Sequence, residues 1–402
     1  MTRRFRHLLI PLILVAYEIT VYLSNDMYLP ALPKMMQDLN INMQQVQLTL
    51  SMWFVGSMAT PLFMGALTDR LGRRPILLGG GILYMLSCIL CTFTTQFEWF
   101  LLYRIIQGAM VAAMLVPGYA SIHELYDQHE AIKLLALMGA IVIVAPALGP
   151  LLGSFILLLT SWKGIFWFIA LSALTVLTLL YYYLPETQTP EKRKPIHLGR
   201  LFNEYLITLR SPAFLVYSLL IGFTFAGFLA WITASPLLII VTFKLSPVVF
   251  GVAQAIVFFF YILGTRKVKP LLEQYGTLAP IKVGISVSLI GGVVMLLDAL
   301  FLPNTLWTFL ITMCAYAYGS GLAFSALNRL AIEGATTPMG VRVALFTTIV
   351  MGFATLGTAL VSEFYTGTIF SLATLITIAA MATGLLYLVE SKLRLAVVTE
   401  AK

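Results

Sequence analysis

A chain of 402 residues in which 60% are hydrophobic and 10% charged cannot cover a water-exposed surface, because soluble domains carry roughly 25% charged side chains. With a mean hydropathy of +0.93, lipid must be the solvent for most of it. The net charge of +8 does not point to nucleic acid, since no basic stripe interleaved with aromatics is present; Lys and Arg sit in short loops between apolar runs.

A helix crossing a hydrocarbon core of about 30 Å uses about 20 residues. Apolar runs of that length recur at approximately 8–29, 46–67, 75–95, 99–120, 133–158, 164–184, 213–241, 248–265, 280–301, 305–327, 343–362 and 368–390. The expected fold is therefore an all-α membrane protein of twelve spans in two six-helix bundles. The first run follows Arg3, Arg4 and Arg6 and reads as an uncleaved span rather than a leader, because Glu18 and Asp26 interrupt it. A polar segment with Pro185, Pro190, Pro195 and Glu191-Lys192-Arg193-Lys194 divides the chain. The expected organisation is a bundle over 1–187, a linker over 188–211 and a second bundle over 212–402.

Counting cations orients the spans. With the N-terminus inside, the inside segments hold Arg3, Arg4, Arg6, Arg70, Arg73, Arg74 and Lys133, then Lys192, Arg193, Lys194, Arg200 and Arg210. Arg266, Lys267, Lys269, Lys282, Arg329, Arg342, Lys392, Arg394 and Lys402 follow on the same side, against Lys34, Lys163 and Lys244 outside. This positive-inside asymmetry predicts two cytoplasmic termini.

Span 1 holds Glu18 and Asp26. Eight helical residues rotate by about 80° and rise about 12 Å, so the two carboxylates can face one cavity at different depths without sharing a proton. A carboxyl group removed from water is more easily protonated, and a nearby cation opposes that protonation; together these allow protons to exchange for cations. The other reading of Glu18 is a structural hydrogen bond. For Asp26, which precedes Pro30 and Pro33, it is a cap at the outer end.

Between spans 2 and 3 lies Gly65-Ala66-Leu67-Thr68-Asp69-Arg70-Leu71-Gly72-Arg73-Arg74-Pro75. Gly65 would allow close helix approach, Gly72 can supply a positive φ, and Asp69 can pair with a cation or a helix N-terminus. Arg104 falls inside span 4, where an arginine costs at least about 2.5 kcal/mol unless it finds a partner or a cavity. Gln107 and Gly108 share its face. In span 5, Pro146, Gly149, Pro150 and Gly153 follow i, i+3, i+4, i+7, making one face of small and kinking residues. Cys88, Cys91 and Cys314 all lie in apolar runs, and Cys88-x-x-Cys91 lacks a second ligand pair, so no metal is expected. His7, His123, His129 and His197 all fall in cytoplasmic segments, which argues against a histidine-based intramembrane enzyme.

These motifs carry a resemblance. G-x-x-x-D-R-x-G-R-R resembles the signature loop of the major facilitator superfamily, R-x-x-Q-G its fourth-span motif, and G-P-x-x-G the motif of its antiporters, with Ser154 where a second glycine often stands. The first span, Y-E-x-x-x-Y-x-x-N-D-M, is similar to that of its multidrug–proton antiporter branch. The resemblance implies an inner-membrane antiporter exporting lipophilic, often cationic compounds, without cofactor beyond the coupling protons; a monomer is expected because each half can supply the other's interface. Glu18, Asp26 and Arg104 would couple protons, and Tyr22, Asn25, Asp26, Met138, Leu229 and Trp231 would bind substrate. Gly65, Asp69, Arg70, Gly72 and Arg73, with the span-5 face Pro146, Gly149, Pro150 and Gly153, would gate conformation. A dedicated exporter of one metabolite or siderophore fits the same motifs.

Overall fold

The computed structural model describes residues 3–188, 190–193, 195, 197–302 and 305–400, without the side chains of 3–8, 136, 140–143, 192 and 393–400. Lys194 and Lys402 therefore lie outside the described residues, as do the side chains of Arg3, Arg4, Arg6, His7, Ala136, Lys192 and Arg394. Among the described residues, ten helices are long and apolar enough to cross a membrane. Two bent helix pairs bring the number to twelve when each pair is one span.

The chain forms two compact units, one of Met1–Gly199 with Ser246–Ala255 and one of Arg200–Leu245 with Ile256–Lys402. In the first unit, α1 (Arg3–Asp26) leads through a 3-10 turn at Leu29–Ala31 into the short α2 (Leu32–Asp38). Next come α3 (Met43–Ala59), α4 (Pro61–Leu71), α5 (Arg73–Phe93), α6 (Phe97–Leu125), α7 (Gln128–Leu159) and α8 (Trp162–Tyr183).

Both bends have a local cause. Pro61 opens α4 and has no N–H to continue α3, so α3 and α4 meet at 51°. The bend of 46° in α7 separates Gln128–Gly139 from Val144–Leu159. It lies one turn ahead of Pro146, whose ring clashes with the carbonyl four residues earlier. The apolar runs over 46–67 and 133–158 are thus broken spans rather than straight ones.

Several polar contacts fasten the unit at its ends. Asn42 caps α3 through a reciprocal pair with Gln45, at 2.8 and 3.0 Å. At the start of α8 the Trp162 indole donates to Asp38 at 2.9 Å, while its ring packs edge-on to Phe100 and Phe166.

The second unit contains α9 (Leu198–Leu209), which begins two residues before it, and α10 (Pro212–Pro236), which continues as a π-helical turn over Leu237–Thr242. The long α11 (Pro247–Tyr275) belongs to both units, and α12 (Ala279–Phe301), α13 (Leu306–Glu333), α14 (Met339–Phe364) and α15 (Ile369–Glu400) complete the chain. Helices α12 and α13 touch backbone to backbone, since a Cβ on Gly319 would lie 2.5 Å from the Gly284 carbonyl. Small residues permit such contact where lipid tails give no hydrophobic drive between helices.

Candidate functional site

Four elements of the first unit converge on α1. Its carboxylates are both buried, Glu18 at 0% and Asp26 at 3% exposure. Tyr119 of α6 donates to Glu18 Oε1 at 2.7 Å. The other oxygen, Oε2, has no hydrogen-bond partner among the described residues, so half of the carboxylate is left for a proton or a ligand. Asp26 is the last residue of α1, but it is no cap. Neither the 3-10 turn at Leu29–Ala31 nor α2, which follow it, takes a side-chain cap hydrogen bond.

Arg104 of α6 is completely buried and is held by neutral groups. Nη1 donates to Gln107 Oε1 at 2.6 Å, Nη2 to Asn25 Oδ1 at 3.3 Å and Nε to the Thr49 carbonyl at 3.2 Å. The guanidinium also lies 4.4 Å from the centre of the Tyr28 ring. Gln107 in turn donates to Cys91 Sγ at 3.3 Å. Arg104 is thus anchored through Asn25, next to Asp26, and its charge is not spent on a short ion pair with that residue. Desolvation of an unpaired guanidinium is costly; three acceptors and an aromatic face offset part of it.

The small face of α7 is what lets α1 sit where it does. A Cβ on Gly153 would lie 1.8 Å from the Met27 carbonyl oxygen, and one on Gly149 would lie 2.8 Å from Asp26 Cβ. Gly149 and Gly153 therefore bring the α7 backbone directly against the acidic end of α1. The Ser154 hydroxyl donates to the Pro247 carbonyl at 2.8 Å, within the same unit. Met138 is buried in the first limb of α7, ahead of the bend. Tyr22 is part-buried one turn from Glu18 on α1. Leu229 and Trp231 are buried in α10 of the second unit, where Trp231 stands 6.0 Å from Phe309.

The loop between α4 and α5 is built around Arg73. Its guanidinium meets Asp69 at 2.6 Å, Thr68 Oγ1 at 2.7 Å and Glu124 of α6 at 3.2 Å. Gly72 adopts φ of +106°, a conformation that suits glycine. Arg70 is exposed and takes no part in this network. The expectation that Gly65 permits close helix approach is corrected: a Cβ there would meet nothing within 4 Å. The close approach in this unit is made instead by Gly56, Gly108, Gly149 and Gly153.

Three residues of this machinery were not singled out from the sequence, namely Tyr119, Glu124 and Glu186. Glu186, just past α8, accepts the backbone N–H of Arg73 at 2.9 Å and of Arg74 at 3.2 Å. It caps the start of α5 from 113 positions away. Thr187 donates to Glu124, and Gln188 donates to the Asp69 carbonyl at 3.4 Å. The signal for Glu186 was present as an acid directly after an apolar span, but its target is not local. Replacing Glu186 by Ala is expected to cost about 0.5–2 kcal/mol, the usual range for a lost helix cap. A lower thermal midpoint in detergent, with Glu186→Gln losing less, checks it.

The chain resembles known proteins in sequence and in fold. The model of the Major Facilitator Superfamily matches residues 14–358. The chain belongs to that superfamily. The multidrug transporter MdfA of Edwardsiella ictaluri is 33% identical over 359 residues, covering 89% of this chain and 87% of MdfA. The chloramphenicol resistance protein CraA of Acinetobacter baumannii is 30% identical over 344 residues, covering 86% and 83%. The multidrug resistance protein MdtM of Salmonella typhimurium is 30% identical over 340 residues, covering 84% and 82%. Among solved structures, a bacterial homologue of the human lysosomal transporter Spinster, inward-facing and unoccupied, superposes with a TM-score of 0.76 over 96% of this chain and 97% of that one. At 14% identity it speaks for the superfamily fold alone. The chain is thus a multi-pass membrane protein of a transporter family.

Proposed function

We propose that this protein is a proton-coupled antiporter that exports lipophilic, often cationic compounds across a bacterial inner membrane. The observation that carries the reading is the pair of buried carboxylates on α1, Glu18 and Asp26, with Arg104 anchored beside them through Asn25. A carboxyl group in a low dielectric can exist in either protonation state, and a lipophilic cation entering its field favours loss of the proton. The names of the relatives, two multidrug proteins and a chloramphenicol resistance protein, support a broad substrate range.

In this reading Arg104 tunes protonation of the acidic pair and is not itself a proton carrier. Tyr22, Asn25 and Met138 line the substrate path in the first unit, and Leu229 and Trp231 in the second. The loop of Asp69, Arg70, Gly72 and Arg73 and the α7 face of Pro146, Gly149, Pro150 and Gly153 govern the change of access; Gly65 has no packing role in it. The bundles correspond to 1–187 and 212–402 with a linker over 188–211, and both termini are cytoplasmic. The protein works as a monomer, without catalytic chemistry and with protons as its only coupling species.

Everted membrane vesicles test the reading. Ethidium is expected to accumulate inside vesicles energised with an inward-acid pH gradient and to leave when a protonophore collapses it. Accumulation that survives the protonophore would refute proton coupling. Movement confined to one anionic metabolite, with no cation carried, would replace multidrug export by dedicated export.

A further inference from the structure

We infer that Gln47 and Ser51 on α3 form a second recognition element, a hydrogen-bonding subsite for the hydroxyl and amide groups of uncharged substrates. The inference rests on the transport reading above and names a substrate class that the carboxylates of α1 do not explain.

The placement follows from how α3 meets α6. A Cβ on Gly108 would lie 1.9 Å from the Trp53 carbonyl, and one on Gly56 would lie 2.0 Å from the Ile105 carbonyl. The Thr49 carbonyl accepts Arg104 Nε. Positions 49, 53 and 56 therefore form the α6 side of α3. At about 100° per residue, Gln47 and Ser51 both lie about 160° round from Thr49 and one turn apart. They sit on the face turned away from Arg104, so they are a separate feature and not an extension of its network.

Gln47 is 0% and Ser51 is 1% exposed. Neither the oxygen nor the nitrogen of the Gln47 amide finds a hydrogen-bond partner among the described residues, and nor does the Ser51 hydroxyl. A primary amide offers two donors and a carbonyl oxygen with two lone pairs, which is a large unmet capacity for a fully buried side chain.

Ser51 departs from the pattern of its neighbours. Inside apolar helices a hydroxyl usually turns back onto its own backbone. Ser57 and Thr49 on the same helix do so, bonding Phe54 at 3.0 Å and Val46 at 2.6 Å. Ser87 on α5 and Ser121 on α6 do the same, at 2.6 and 2.8 Å. Ser51 alone on α3 holds its hydroxyl off the backbone, on the face that carries the Gln47 amide.

A buried amide and hydroxyl left unpaired cost stability that leucine and alanine would not. A guest that pairs with both on that one face recovers this cost. Because neither residue is charged, the pair does not select cations. Its complement is a neutral molecule with several donors and acceptors. Substrates would thus be sorted between two helices, with cations answered by α1 and uncharged polar compounds by α3.

The test compares chloramphenicol, which is neutral and carries hydroxyl and amide groups, with tetraphenylphosphonium, a cation without any hydrogen-bonding group. Both are followed in vesicles containing wild type, Gln47→Leu, Ser51→Ala and the double variant, with thermal midpoints measured on the purified proteins. The expected result is at least a tenfold loss of chloramphenicol transport in the double variant. Tetraphenylphosphonium transport should stay within twofold, and the midpoint should be unchanged or higher. Unchanged chloramphenicol transport overturns the inference, as does a parallel loss of both compounds. Wild type that exports tetraphenylphosphonium but neither binds nor exports chloramphenicol overturns it too. Wild type that moves neither compound would instead refute the transport reading itself.

Discussion

Addition of ethidium to the purified protein is expected to release protons, and Asp26→Asn is expected to reduce that release at least tenfold. The same holds for Glu18→Gln. Both substitutions are suited to isolating the proton. Tyr119 donates to Glu18 Oε1 at 2.7 Å, and the amide oxygen of glutamine can accept the same bond, so the link to α6 survives. Asn at position 26 keeps the size of Asp. This matters because Gly149 leaves no space there; its own Cβ would come within 2.8 Å of Asp26 Cβ. A loss of release therefore reports on the titrating group and not on misfolding, provided the thermal midpoints stay within a few degrees of wild type. Release that persists undiminished in both variants would remove α1 from the coupling mechanism.

The second large effect is one of packing. Gly153→Val is expected to destabilise the first unit by about 3 kcal/mol or more, at the upper end of what overpacking costs. A Cβ at this position meets the backbone oxygen of Met27 at 1.8 Å, and backbone cannot rotate out of the way as a side chain can. Either α1 and α7 separate or the unit fails to assemble. Gly139→Ala on the same helix is the control, because nothing lies within 4 Å of its added Cβ; it should be neutral or mildly stabilising, since alanine is the better helix former by roughly 1 kcal/mol. Gly149→Ala falls between the two and should weaken dye-induced proton release more than it lowers the midpoint, because the displaced atom belongs to Asp26. Membrane abundance together with thermal midpoints of the three variants decides the order. Equal stability of Gly153→Val and Gly139→Ala would contradict the close contact of α1 with α7.

The fold and the candidate site were legible in the sequence to different degrees, for physical reasons that can be named. Hydrophobicity and helix length are properties of a segment by itself, so twelve apolar runs of about twenty residues could be counted before any contact was known. Motif residues were readable for a related reason. An acid or an arginine in an apolar run is expensive wherever it lies, so Glu18, Asp26 and Arg104 stand out without a partner being named. The proline breaks were half legible. Pro61 and Pro146 announce a lost donor, but the angles of 51° and 46° depend on what packs against each limb.

What sequence could not supply was pairing across the chain. Arg104 demanded partners, but the choice of Asn25, Gln107 and the Thr49 carbonyl over a direct ion pair with Asp26 was made by the packing of α1, α3 and α6. Gly65 and Gly153 are alike as letters in a motif. One meets nothing within 4 Å and the other lies against a backbone oxygen, a difference set only by which helix is opposite. Glu186 reads as an ordinary acid at a span end until it is seen capping α5 from 113 positions away. Gln47 and Ser51 carry no motif at all; what marks them is burial without a partner, which exists only once the helices are packed. A single segment determines its own solvent and its own helix, because those follow from side-chain hydrophobicity and backbone propensity. Which polar group answers which, and which glycine is touched, are decided by tertiary contact, because each needs a second atom from elsewhere in the chain.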